Sequence, residues 1–312
     1  MKEIGGYQDF EQYHGIMLHD DGIKLNCGRN CLAYLIEARS IKKICLPYYI
    51  CESVINLCRK YDLDITFFHT GLDFKPETIH LEPDRWLYLV NYYGQLNEED
   101  ITLLKKRYKK IIVDNAQAYF EEPVEGIDTL YTCRKFFGVS DGAILYTDSK
   151  IGRTLDRDES YTHMEFLMGR YERTASEFYK SMVDNNHRFI NEPIKRMSKL
   201  TENILHSIDY EKVLEIRTAN YVYLSDNLEK RNLLRLNQPA GAFAYPLLVE
   251  NADKIRDKLI KKKVYIPTLW PNVLEETEKT MTDYKLVRDI LPLPCDQRYG
   301  IEEMKYIVSQ LV

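Results

Sequence analysis

The sequence predicts an α/β fold, with a large domain built on a mostly parallel central sheet and a smaller C-terminal α+β domain. Three observations predict it. Apolar runs of strand length alternate with amphipathic helical stretches up to about residue 147. Residues 151–231 then read as mainly helical, with one proline, Pro193. From residue 232 to 312 short strand patterns return between helices. Strands separated by helices at this spacing make parallel sheets covered on both faces.

In order, residues 31–38 form an apolar-periodic helix after the turn Asn26-Cys27-Gly28-Arg29-Asn30. A buried strand follows at 44–47, an amphipathic helix at 53–61 and strands at 64–68 and 86–91. A helix at 98–108 leads into a β-branched strand, 110–114, that ends in the carboxylate of Asp114. Short strands at 128–132 and 143–147 bracket a glycine-containing turn, and 198–230 reads as one long helix or two. The last third reads as a strand at 242–250, a helix at 251–263 and a short strand at 264–267. A helix at 283–290, a strand at 291–293 and an amphipathic helix at 301–311 close the chain.

Composition narrows the function classes. The 312 residues are 45% hydrophobic and 29% charged, which suits a soluble globular protein. With 43 basic against 48 acidic residues, the net charge of −5 argues against a broad nucleic-acid-binding surface. The basic runs at 105–110 and 261–263 read as solvated helix ends. Seven cysteines fall at spacings that make no paired CxxC set, so neither a metal site nor a disulfide framework is expected. No apolar run approaches the length of a membrane span, and the first six residues carry no signal-peptide core. Buried, reduced thiols in a cytoplasmic protein are the expectation.

Three strand ends suggest one chemistry. Ligands of open α/β sheets bind beyond the carboxyl ends of the strands. Asp114 closes one strand. Lys135 follows the next, in Thr132-Cys133-Arg134-Lys135-Phe136-Phe137-Gly138. Gly28, Arg29 and Asn30 precede the first helix, whose free N–H groups suit a phosphate. Each has a plain alternative. A lysine before two phenylalanines is commonly a snorkelling residue, a strand-end aspartate a turn residue, and the glycine turn an N-cap. Together they match pyridoxal phosphate (PLP). Its aldehyde needs an amine, its pyridine nitrogen a carboxylate, and its phosphate N–H groups and a hydroxyl, which Thr132 could supply.

In these motifs the chain resembles the DegT/StrS family of PLP-dependent sugar aminotransferases, from about residue 24 to the end. Asp114-Asn115-Ala116-Gln117 is similar to the family's Asp-x-Ala-His/Gln motif. Lys135 stands before Asp141-Gly142-Ala143 as the family's Schiff-base lysine stands before an acidic-Gly-Gly turn. Arg196-Met197-Ser198, Tyr245-Pro246, Trp270-Pro271 and Leu291-Pro292-Leu293-Pro294 look like later family segments. The resemblance implies the fold-type I aminotransferase fold, PLP bound at Lys135, Asp114 on the pyridinium and Gln117 on the ring. It also implies an amino donor, a keto-sugar nucleotide acceptor, a role in cell-surface polysaccharide biosynthesis and a homodimer with no membrane or nucleic-acid partner.

The departures are specific. Cys27-Gly28-Arg29-Asn30 replaces the family's Ser-Gly-Thr-Ala, so a threonine hydroxyl is missing. Leu130 replaces a serine five residues before the lysine, and Thr132 is the candidate substitute. The ring-stacking aromatic falls on Cys51, with Tyr48 or Tyr49 as compensation, and an interfacial asparagine falls on Ile194. Two rivals follow: a PLP-dependent sugar-modifying enzyme of another reaction type, and a non-catalytic or regulatory protein of the same fold. A sugar deoxygenase of the family lacks the lysine that this chain keeps. A nucleotide-binding reading fails, for no Gly-x-Gly-x-x-Gly or Walker-type loop follows a strand.

Overall fold

A computed structural model describes residues 4–311. The main sheet holds seven strands: β1 (Ile23–Leu25), β2 (Lys43–Pro47), β3 (Asp64–Phe68), β4 (Trp86–Val90), β5 (Ile111–Asp114), β6 (Asp128–Thr132) and β7 (Ala143–Tyr146). They lie in the order β1-β7-β6-β5-β4-β2-β3. β2 to β6 run parallel, and β7 and β1 close one edge antiparallel. The parallel centre explains the sequence there. Ile111, Ile112 and Val113 are fully buried because helices cover both faces. The edge strand β1, only three residues long, is too short to show a period and was not expected.

The covering helices begin with α1 (Gly28–Ala38), α2 (Glu52–Lys60) and α3 (Glu98–Tyr108). In α3 the Asn97 side chain accepts the Asp100 N–H at 2.8 Å. Glu98, Glu99 and Asp100 crowd its first turn, and Lys105, Lys106 and Arg107 its last. The cap and both sets of charges stabilise the helix, the charges by complementing its dipole. The middle region supplies α4 (Glu165–Glu172), α5 (Tyr179–Arg188), α6 (Lys199–Leu205) and α7 (Tyr210–Leu228). The stretch 198–230 is thus two helices, each with its own cap. Ser198 Oγ accepts from Thr201 N at 3.1 Å, and Asp209 accepts from Lys212 N at 3.0 Å.

The small unit pairs β8 (Tyr245–Leu248) antiparallel with β9 (Ile290–Leu293). Around them stand α8 (Ala252–Lys261), α9 (Val273–Glu276), α10 (Thr282–Asp289) and α11 (Ile301–Leu311). The strand expected at 264–267 does not form. Val264 and Ile266 are buried by packing into the small unit's core without joining the edge of β8 or β9, and Pro267 has no N–H to give to a ladder. Tyr221, Leu224 and Leu228 of α7 pack into the small unit's core with Leu247, Leu291 and Met304. Among the described residues no helix is long and apolar enough to cross a membrane.

Candidate active site

The site lies beyond the carboxyl ends of β5 and β6. These strands pair in register, with Asp114 opposite Leu130. The chain leaves β6 at Thr132 and makes one 3-10 turn, Cys133–Lys135, closed by Phe136 N donating to Cys133 O at 3.0 Å. Phe136 and Phe137 are buried among Tyr119, Tyr131 and Met197. That anchorage fixes the turn from behind and leaves Lys135 in open space. The cleft around Lys135 is nevertheless deep. Burial pulls its amine below the ordinary lysine range, opposed by the charge of Asp114 and by Cys51, while Arg134 adds to the depression.

Asp114 is 9% exposed. One carboxylate oxygen accepts the Tyr88 hydroxyl at 2.8 Å, and the other accepts the Ala116 N–H at 2.8 Å. Burial pushes its pKa up, against the pull of Lys135, the Ala116 N–H and Tyr88. Aspartate and lysine therefore share one electrostatic site. A third wall comes from the small unit, where the Phe243 ring centre lies 5.6 Å from Lys135 Nζ.

Gln117 and the segment after β4 form the next layer. Gln117 is 1% exposed, and its Oε1 accepts the Tyr93 N–H at 3.0 Å. Its Nε2 is buried with no partner, a condition that marks a donor waiting for a ligand or an ordered water. Tyr93 holds a left-handed φ of 55°, an uncommon conformation for a tyrosine and one found at functional sites. Gly94 follows at φ 72°, where a Cβ would meet Pro239 at 2.8 Å.

The N-terminus of α1 faces the same strand ends. A Cβ built on Gly28 would lie 3.8 Å from the Thr132 Cβ and 3.9 Å from Leu130 Cδ1. Asn30 N and Cys31 N donate to Cys27 O, and the N–H groups of Gly28 and Arg29 keep the open state of a first helical turn. Arg29 and Arg134 both hold down the buried Cys27 thiol, whose pKa burial raises, so positive charge gathers here. Thr132 is half-buried beside it.

Other sequence candidates go elsewhere. The Asn30 side chain is engaged elsewhere: its Nδ2 donates to Asn26 Oδ1 at 2.9 Å and to Pro193 O at 2.7 Å, so it braces residue 193. Tyr49 is 1% exposed and packs edge-on to Trp270 at 4.6 Å, within the core. Cys51 is half-buried at the N-cap of α2, within the field of Lys135, and its Sγ lies 3.0 Å from Ser53 Oγ. Tyr48 stacks on Phe67 and His69 at 5.0 and 4.7 Å. Arg134 stacks on Phe189 at 4.7 Å and bonds Asn186. Ile194 is buried within its own chain.

Sequence reasoning missed Tyr88, Phe243, Arg217 and Gln297. Arg217 carried a signal, a charged residue on the stripe that continues through Tyr221, Leu224 and Leu228. A cavity of about 980 Å³ lies between the α4–α5 pair and the small unit, walled by Phe166, Tyr179, Tyr265 and Tyr306. Neither Asp114 nor Lys135 lines it, so volume does not mark the chemistry in this molecule. Among the described residues no group of three or more His, Cys, Asp or Glu could hold a metal ion.

No family model matches the chain, and no curated protein matches it in sequence. Solved structures do. DesV of S. venezuelae, in complex with a ketimine intermediate, superposes with a TM-score of 0.67 at 14% identity, over 93% of this chain and 83% of its own. A DegT DnrJ EryC1 StrS aminotransferase from Brucella abortus gives 0.62 at 14% identity, over 93% and 84%. The GDP-4-keto-6-deoxy-D-mannose-3-dehydratase of E. coli, with bound hydrated PLP, gives 0.64 at 11% identity, over 93% and 87%. The chain has the fold of these proteins, the fold-type I aminotransferase fold. At such identities likeness carries the fold, and the chemistry has to come from the residues.

Proposed function

We propose that this chain is a PLP-dependent aminotransferase that passes an amino group from a small donor to a keto-sugar nucleotide. One observation carries the reading: Asp114 and Lys135 oppose each other in one deep cleft at the carboxyl ends of neighbouring parallel strands. The residues fit the cofactor. Lys135 would hold its aldehyde carbon and Asp114 its ring nitrogen. The Gly28 and Arg29 N–H groups, the Thr132 hydroxyl and the charge of Arg29 would hold its phosphate. Gln117 Nε2, buried and unpartnered, is a donor placed for a ring substituent. Bound there, PLP supplies an aldehyde that condenses with amines and a ring that withdraws electrons.

The chain's own residues do the rest. Burial keeps the Lys135 amine closer to its neutral, nucleophilic form than an exposed lysine would be. With its amine free, Lys135 Nζ would be the base and acid that moves a proton at the donor carbon. The Asp114 carboxylate, oriented by Tyr88 and the Ala116 N–H, would hold a proton on the ring nitrogen. Phe243 walls one side of the space in front of the amine. Retention of Lys135 favours amino transfer over dehydration. The sugar acceptor is supported by the structural likeness to sugar aminotransferases and a sugar dehydratase.

A homodimer in the cytoplasm belongs to the same proposal. Ile4, Tyr7, Phe10, Tyr13 and Ile16 recur every third residue along an N-terminal arm, and Ile4, Tyr7 and Ile16 are 89–99% exposed. Large apolar side chains left exposed along one segment suit an interaction surface. The test of the activity is direct. The purified protein with PLP should be yellow, and glutamate should bleach that absorbance with release of 2-oxoglutarate. A colourless protein that retains no PLP after gel filtration would refute the reading.

A further inference from the structure

Arg217, on α7, is 1% exposed. The acid that acts on it through space, Asp296, is engaged by Arg298 at 2.6 Å. A buried cation held without an ion pair of its own is costly, and burial lowers its pKa to about 10. Its bonds show what the cation is kept for. Nη2 donates to Phe136 O at 3.3 Å, Nη1 to Ala242 O at 2.8 Å and Nε to Gln297 Oε1 at 2.7 Å. Gln297 Nε2 returns to the same Phe136 carbonyl at 2.7 Å. The guanidinium also lies 4.6 Å from the Phe136 ring centre.

Phe136 directly follows Lys135, and Ala242 directly precedes Phe243. One guanidinium thus grips the backbone beside each of the two side chains that face each other across the cleft. Gln297 ties the same carbonyl to the loop after β9. We propose that Arg217, with Gln297, is a positioning residue that sets the distance between the Lys135 amine and the Phe243 ring, registering the small unit on the reactive lysine. This rests on the reading of Lys135 as the reactive amine. The device acts through two carbonyls, so its loss frees the lysine turn without removing any group that touches substrate. The charged groups acting on the amine itself are Asp114, Cys51 and Arg134, and the substitutions below leave all three in place.

The test uses the full-length protein and a probe that needs no cofactor. Acetylation of Lys135 by acetic anhydride is followed by mass spectrometry from pH 6 to 10, with the exposed lysines of the same chain as references and thermal melting as the fold control. Arg217→Met should slow Lys135 at pH 7.5 by about tenfold and move its curve to higher pH, because a released turn lets the amine leave the position in which burial disfavours its charged form. Gln297→Leu, at a half-exposed position, should slow it by about threefold, since it leaves Arg217 in place. Arg217→Lys should fall between wild type and Arg217→Met. Folded variants whose Lys135 curve matches wild type, or whose exposed lysines change by the same factor, would overturn the proposal. Should Arg217→Met not fold, Gln297→Leu decides alone. A wild-type protein that binds no PLP, but whose variants shift as expected, would sink the proposed activity and leave the positioning role standing.

Discussion

Two buried aspartates, Asp114 and Asp141, show how this fold separates a site from a strut. Both have pKa values pushed up by burial. Asp141 is satisfied by the protein itself. It accepts from Ser198 N and Ser198 Oγ, each at 2.8 Å, and from the Thr201 hydroxyl. Those donors are the start of α6, so the carboxylate pins a helix to the β6–β7 turn. Asp114 has one protein donor on each oxygen and, for balance, a lysine across open space. A saturated carboxylate has nothing left to do except hold. A carboxylate balanced by a movable amine can take a ligand between them.

The comparison breaks first at Lys135. Lys135→Ala should end covalent retention of PLP, read by borohydride reduction and mass spectrometry, and cut amino transfer by at least ~1000-fold. Transfer at near wild-type rate in that variant would remove Asp114's supposed partner and the contrast with it. The next largest effect is at Asp114 itself. Asp114→Asn keeps the shape and one acceptor, for the Ala116 N–H, with the Tyr88 hydroxyl turned to accept from the amide, but not the charge. PLP should still bind, with the donor half-reaction slowed by roughly 100-fold, the scale seen when preorganised charge stabilisation is removed. An unchanged half-reaction would make Asp114 a second Asp141.

How much of this was legible depended on distance along the chain. Asp114, Thr132 and Lys135 lie within 22 residues and close successive strands, so strand pattern and motif were enough to name them together. Gly28 was legible as a turn before a helix. What the Asn30 side chain does was not legible, because the carbonyl it braces, at residue 193, lies over 160 residues away. Phe243, Arg217 and Gln297 reach the site from the small unit and its leading helix, and no local period announces which carbonyl a buried guanidinium will find. The false strand at 264–267 failed for a related reason. Val264-Tyr265-Ile266 has strand propensity, but the same alternation also serves a segment that buries Val264 and Ile266 without a ladder, and propensity does not tell the two apart.

Asp141 sharpens the contrast from the other side. Asp141→Ala leaves Ser198 N–H and two hydroxyls without their acceptor in a buried place, which should cost about 3 kcal/mol. In a chain of this size that lowers the melting temperature by roughly 5 °C. The activity of the molecules that remain folded should be close to wild type. A variant that melts like wild type would show the carboxylate is not a strut, and one that melts normally but transfers poorly would move it into the site.

The smallest effect is the most discriminating, because it reads the field at the amine rather than the loss of a group. Burial disfavours the charged form of Lys135, so its neutral form is populated at lower pH than in an exposed lysine, and the Asp114 charge opposes that shift. The rate of PLP capture by Lys135 should rise with pH and level off below the range of ordinary lysines. Asp114→Asn removes a negative charge that favours protonation of the amine, so the curve should move to lower pH still. Asp141→Ala should leave it in place, since Asp141 does not act on this amine. A stopped-flow pH series on the three proteins decides the matter. A curve that moves to higher pH in Asp114→Asn, or moves equally in both variants, would mean that the two aspartates are electrostatically alike to the lysine and that the cleft is not organised around the pair.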